Sequence, residues 1–138
     1  MSTPALLDPL TLLGTWELTR TIVELASGQE SLVDGNTELV AEPDGRIRWS
    51  EQGVLRRGGL RVPVTRVLFI EPRDDGWFVT FDDGRDFHPW QPGRTVVHRC
   101  APDLYAGMVA AAGESWTVTW RVTGPAKDYT MASVLSRR

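Results

Sequence analysis

Trp116-Thr117-Val118-Thr119-Trp120-Arg121-Val122-Thr123-Gly124-Pro125-Ala126-Lys127-Asp128-Tyr129 decides the fold. Trp116, Val118, Trp120 and Val122 recur at every second position, the period of a strand with one buried face. Gly124-Pro125-Ala126 then reverses the chain, because glycine tolerates positive φ and proline fixes the corner of a turn. Working outward, Trp16, Leu18, Arg20 and Ile22 repeat the alternation near the start. Pro43-Asp44-Gly45, Asp74-Asp75-Gly76, Asp82-Asp83-Gly84 and Gln91-Pro92-Gly93 supply further tight reversals. Helix-period stripes are scarce. The pattern predicts about ten strands, near residues 14–25, 31–41, 46–53, 61–71, 76–82, 85–90, 94–100, 104–110, 115–123 and 128–137. So many short strands would expose sheet edges, which antiparallel proteins remove by closing into a barrel.

The chain has 138 residues, one domain's worth, and 41% of them are hydrophobic against 24% charged, which predicts a single folded domain over 1–138 with 1–12 as a lead segment. Fifteen Lys and Arg against 18 Asp and Glu leave a net charge of −3, without the basic footprint of a nucleic-acid or acidic-membrane binder. A single cysteine, Cys100, makes no internal disulfide, and the reading is a reducing, cytoplasmic setting. The first 13 residues carry Asp8 and no Lys or Arg, unlike a secretory signal. No stretch approaches the roughly 18 apolar residues of a membrane helix. Expected partners are therefore a small-molecule ligand, with no nucleic acid and no membrane.

Leu13-Gly14-Thr15-Trp16-Glu17-Leu18 places a Gly-x-Trp at the start of the first strand, and the last strand ends in Arg137-Arg138. This pairing resembles the calycin superfamily (lipocalins, fatty-acid-binding proteins, avidins, nitrobindins). The resemblance implies an up-and-down β-barrel with the Trp at its closed end beneath an Arg of the final strand. Four segments together are similar to a family of small calycin-like domains of unknown function: Gly14 to Arg20, Phe81 to His88 with its Asp83-Gly84-Arg85, His98 to Gly107 with its Pro102-Asp103-Leu104-Tyr105, and Trp120 to Tyr129. Leu135 stands where that pattern leads one to expect a tyrosine, and 31–41 matches it poorly.

If Trp16 and Arg137 share the closed end, antiparallel pairing sets Glu24 opposite Tyr129 and puts the 124–127 turn at the open end. Alternate turns of a meander share an end, so the turns near 26–30, 54–60, 82–84, 101–103 and 124–127 form a mouth. It carries Arg56, Arg57, Arg85, Asp103, Tyr105, Lys127, Asp128 and Tyr129. This holds if 104–110 is a strand, whereas Ala110-Ala111-Ala112 in a helix would break the parity.

The candidate binding residues are Arg20, Arg85, His88, His98, Trp116, Trp120, Lys127, Asp128 and Tyr129. Arg20 shares the inward face with Trp16 and serves either as an anion anchor or in an internal salt bridge. His98 and Cys100 share a face, and His88 joins them only if the 91–94 loop has odd parity. The expectation is satisfied histidines beside a buried thiol, with no metal and no cofactor. A haem of the type that the nitrobindin branch implies is the alternative and needs one imidazole. Tyr105, Tyr129 and Asp103 are candidate catalytic groups, a Tyr near Arg and Lys being able to act as acid or base, although turn chemistry explains the same residues. No serine triad, phosphate loop or dinucleotide fingerprint is present. The functional expectation is a barrel that binds a small apolar or aromatic ligand bearing an acidic group. The rivals are an acid–base enzyme of lipocalin fold, a haem binder, and an interaction module whose barrel is filled by its six tryptophans.

Overall fold

A computed structural model describes residues 7–137, so Arg138 and residues 1–6 of the lead segment lie outside the described residues. Asp8 accepts a hydrogen bond from the Leu10 amide at 2.9 Å and caps a 3₁₀ turn, Pro9–Leu12. Ten strands follow: β1 (Gly14–Glu24), β2 (Glu30–Ala41), β3 (Ile47–Arg57), β4 (Leu60–Arg73), β5 (Gly76–Phe81), β6 (Asp86–Pro89), β7 (Val96–Cys100), β8 (Asp103–Ala112), β9 (Ser115–Gly124) and β10 (Lys127–Ser136). They form one antiparallel sheet in the order β6-β5-β4-β3-β2-β1-β10-β9-β8-β7. This is an up-and-down barrel, closed where β1 pairs with β10 and nearly closed where the sheet edges β6 and β7 meet. Across that seam the Phe87 and His98 rings lie 5.1 Å apart.

Glu24 does stand opposite Tyr129, so the mouth and the floor lie at the predicted ends. β8 runs as strand through Ala112, which keeps the parity of the turns. β3 continues to Arg57 instead of ending at residue 53, because the reversal is made by Gly58 and Gly59 between paired Arg57 and Leu60. Gly35 and Gly53 are cross-strand neighbours. A Cβ on Gly35 would meet the Gln52 carbonyl oxygen at 2.0 Å, so β2 and β3 approach here only because both positions are bare.

The floor is filled by indoles. Trp16, Trp49, Trp90 and Trp116 stack edge to face or tilted with centroids 5.5 to 6.3 Å apart. Trp16 Nε1 donates to the Leu12 carbonyl and Trp90 Nε1 to the Leu7 carbonyl, each at 2.8 Å. The Arg137 guanidinium sits 4.0 Å above the Trp16 ring and donates to the Thr11 carbonyl at 3.1 Å. Higher in the barrel, Gly107 and Met131 flank Trp120 across β8, β9 and β10, and the Trp120 ring lies over the missing side chain of Gly107. No helix among the described residues is long and apolar enough to cross a membrane.

A Cβ at Gly107 would stand 2.4 Å from Trp120 Cε3 and 2.5 Å from the Thr119 carbonyl oxygen. Gly107→Ala is expected to destabilise the protein by about 1–3 kcal/mol through overpacking, read from urea unfolding midpoints. Unchanged stability would show that Trp120 does not need the bare position.

Candidate functional site

Three charged side chains meet in the middle of the barrel, Arg20 and Glu51 buried and Arg66 33% exposed along its side chain. β3 turns Trp49, Glu51 and Gly53 inward, and Glu51 stands between Thr37 of β2 and Arg66 of β4. Its Oε1 accepts from Arg20 Nη2 at 2.9 Å and Arg66 Nη2 at 3.1 Å. Its Oε2 accepts from Thr37 Oγ1 at 3.1 Å and Trp49 Nε1 at 3.3 Å. Arg20 Nε donates to Ser133 Oγ at 2.7 Å. Burial pushes the Glu51 carboxyl up, but the Arg66 and Arg20 charges and their hydrogen bonds outweigh it and hold it below the usual carboxylate range. Burial, reinforced by Arg20 and opposed by Glu51, pulls the Arg66 guanidinium below its ordinary value. Two guanidiniums thus share one carboxylate, leaving one positive charge in excess. Arg66 Nε, itself out of contact with solvent, has no hydrogen-bond partner among the described residues.

Two hollows adjoin this cluster, and Arg66 and Met131 line both. One, about 590 Å³, is walled by Phe81, Phe87, His98, Tyr105 and Tyr129 and reaches the turn at Asp82, Asp83 and Arg85. The other, about 240 Å³, is walled by Leu18, Ile22, Val33, Leu55 and Val64 beside Arg20 and Glu51. In the larger one Phe81 stacks on Phe87 at 4.5 Å, and Phe87 on Trp120 at 5.1 Å. A concavity of about 830 Å³ on the outer face of β1 to β4, lined by Thr15, Asn36, Ser50 and Gln52 among others, has no aromatic wall.

The sequence-predicted residues divide among these places. Arg20 is inside the barrel, but its charge is committed to Glu51, so the internal salt bridge rather than the free anion anchor describes it. Trp116 is 1% exposed within the floor and lines neither hollow. Trp120 lies behind the Phe87 wall. His98 reaches the larger hollow, and its ring is 5.9 Å from that of Tyr105. His88 does not join it. A register shift at Val79/Thr80 inserts an extra residue in β6, so Phe87 and His88 are both buried and Phe87 is the one against His98. Cys100 also lines the larger hollow but is exposed, not buried, because it ends β7 beside the mouth turn. No group of three or more metal-ligating side chains forms among the described residues.

At the mouth, Lys127 Nζ bridges Asp103 Oδ2 at 2.8 Å and the Tyr105 hydroxyl at 3.3 Å, contacts that raise its pKa. Burial and the neighbouring Tyr105 push the Tyr129 phenol up. Arg85 pairs with Asp83 at 2.7 Å in its own turn, beside the Phe81 ring. Asp128 is exposed and paired with Arg121, outside the mouth cluster.

Glu51 and Arg66 are the residues that sequence reading missed. The signal was present in the alternation of Ile47, Trp49, Glu51, Gly53 and Leu55 and of Val64, Arg66, Leu68 and Ile70.

Fold and interior together define a β-barrel with a packed floor and a hollow, cationic upper half. The chain belongs to a family of unknown function, DUF6314, whose pattern matches residues 12–137. A solved structure of a redesigned β-barrel, mFAP0, bound to DFHBI is similar in fold, with a TM-score of 0.50 at 16% identity over 91% of this chain and 98% of that one. No curated protein matches in sequence.

The buried His88 has its pKa lowered from 6.5 to about 4, first by burial and also by His98 and Arg66, while its hydrogen bond to the Pro89 carbonyl at 2.8 Å opposes the shift. Between pH 6.5 and 4 the unfolded chain therefore binds a proton that the folded chain does not. Stability falls as pH drops through this window, by a total on the order of 3 kcal/mol. His88→Phe is expected to remove that part of the pH dependence in urea unfolding at pH 7 and 4.5. An unchanged difference between the two pH values would contradict it.

Proposed function

We propose that this barrel binds a small organic anion with an apolar or aromatic body, its acidic group held by Arg66. The excess positive charge beside two hollows carries the reading. A cation held inside a barrel without a full counter-charge is costly, and an anionic ligand at the Arg66 guanidinium supplies the missing charge. A guanidinium suits a carboxylate because its donors form a planar fork. Phe81 stacked on Phe87 offers a flat wall, and Tyr105 and Tyr129 line the same hollow. The anion anchor expected at Arg20 thus moves to Arg66, with Arg20 and Glu51 fixing its position. The redesigned barrel of similar fold is an example of such a container holding a ligand, DFHBI. Arg137 over Trp16 supports a calycin-like kinship for the fold.

Haem binding is the second reading, favoured by one observation: His98 is the histidine that lines the larger hollow. A Soret band on haemin titration that His98→Ala abolishes would support it. Acid–base catalysis finds less support, because Tyr129 is held protonated and Lys127 is engaged by Asp103.

Calorimetric titration with 2-naphthoate and its neutral isostere 2-naphthamide separates charge from shape. The acid is expected to bind at least about tenfold more tightly than the amide, the equivalent of 1.4 kcal/mol. Arg66→Met should erase that preference, and Arg48→Met, a change on the outer face, should leave it intact. Equal affinities, or a preference that survives Arg66→Met, would overturn the anion reading. Absence of any binding would favour a barrel whose outer surface carries its function.

A further inference from the structure

Resting on the reading of Arg66 as the anion anchor, the arrangement of the hollows says more about the ligand. Arg66 does not lie at the end of one pocket. Together with Met131 it lines two that differ in chemistry: a lobe of about 590 Å³ with Phe81, Phe87, His98, Tyr105 and Tyr129 on its walls, and one of about 240 Å³ with Leu18, Ile22, Val33, Leu55 and Val64. An acid held at such a junction has an aromatic space on one side and an aliphatic space on the other. A linear aryl acid fills only the first and leaves the second to water against apolar walls, which is unfavourable.

We infer that the ligand class is a carboxylic acid branched at its acid-bearing carbon, with one aryl arm and one aliphatic arm, the geometry that an N-acylated aromatic amino acid has. Three features of the small lobe set the second arm. Val33 and Leu55 are cross-strand neighbours and give it an aliphatic wall without rings. Gly53, the next inward position toward the floor on β3, lines the lobe with backbone alone, which keeps that part of the wall free of any polar side chain. Arg20 and Glu51 border it as a mutually neutralised pair, so a second acidic group there would face the Glu51 carboxylate and be repelled. The aliphatic arm is therefore uncharged.

The test compares 3-phenylpropanoate with 2-benzylhexanoate, the same aryl acid carrying a butyl arm on the acid-bearing carbon, by calorimetry on the intact chain. Each buried methylene is worth about fourfold in affinity, so the branched acid is expected to bind at least tenfold more tightly. Val33→Phe, which fills the small lobe, should abolish the advantage of the branched acid over 3-phenylpropanoate. Should that variant fail to fold, the series 2-benzylpropanoate, 2-benzylbutanoate and 2-benzylhexanoate on the unaltered protein gives the same answer through a stepwise gain in affinity. A branched acid that binds no more tightly than the linear one, or a gain that survives Val33→Phe, overturns the two-armed ligand while leaving the anion site standing. If neither acid binds, the anion site itself is wrong and this inference falls with it.

Discussion

Glu51 accepts hydrogen bonds from two guanidiniums, a hydroxyl and an indole N–H in the middle of an otherwise apolar barrel, and the upper half of the molecule is arranged around that carboxylate. Burying charge is costly, and a barrel of this size could have been filled with aliphatic side chains instead. The cluster is tolerable because each oxygen of Glu51 is satisfied twice, by Arg20 and Arg66 on one and by Thr37 and Trp49 on the other. Removing one member of such a group strands the rest, at roughly 3–5 kcal/mol. The balance of charge is nevertheless incomplete: one carboxylate serves two cations, and Arg66 lines both hollows. The same interaction that stabilises the barrel therefore leaves it with an affinity for an anion.

The division between a packed floor and a hollow upper half follows from where bulk and absence of bulk fall along the strands. Four indoles meet at the closed end, tied to the lead segment by Trp16 and Trp90 and covered by Arg137. Above them, Gly35 and Gly53 bring the β2 and β3 backbones close together, and Arg20 reaches past that row to Glu51. Gly107 makes room for Trp120, and Trp120 in turn backs the Phe87 and Phe81 rings that wall the larger hollow. Six tryptophans do not fill the interior because most of them are concentrated at one end.

Much of this architecture was legible in the sequence. Period-two alternation with closely spaced turn residues defined the all-β meander, and Gly-x-Trp with a terminal Arg oriented it, so the pairing of Glu24 with Tyr129 followed. The inward direction of Arg20 was equally legible, since it shares a face with Trp16 and Leu18. Its partner was not, because Glu51 and Arg66 are distant in sequence and meet only through the register of three strands. A glycine at 53 reads as a strand end, whereas here it marks a close approach of two backbones. The bulge in β6 likewise has no local signature, and it alone decides that Phe87 rather than His88 faces His98. Exposed turn pairs such as Asp83 with Arg85 and Arg121 with Asp128 look like site residues in one dimension because charge is visible in sequence and direction is not.

The Arg66 side of the cluster is the proposed seat of a bound anion, and a crystal structure of the protein with 6-bromo-2-naphthoate, the bromine located by its anomalous signal, tests this. Bromine is expected in the aromatic hollow between Phe87 and Tyr105 and the carboxylate on the Arg66 guanidinium. Bromine on the outer face near Arg48, or a carboxylate turned to Lys127 at the mouth with Arg66 untouched, would contradict it.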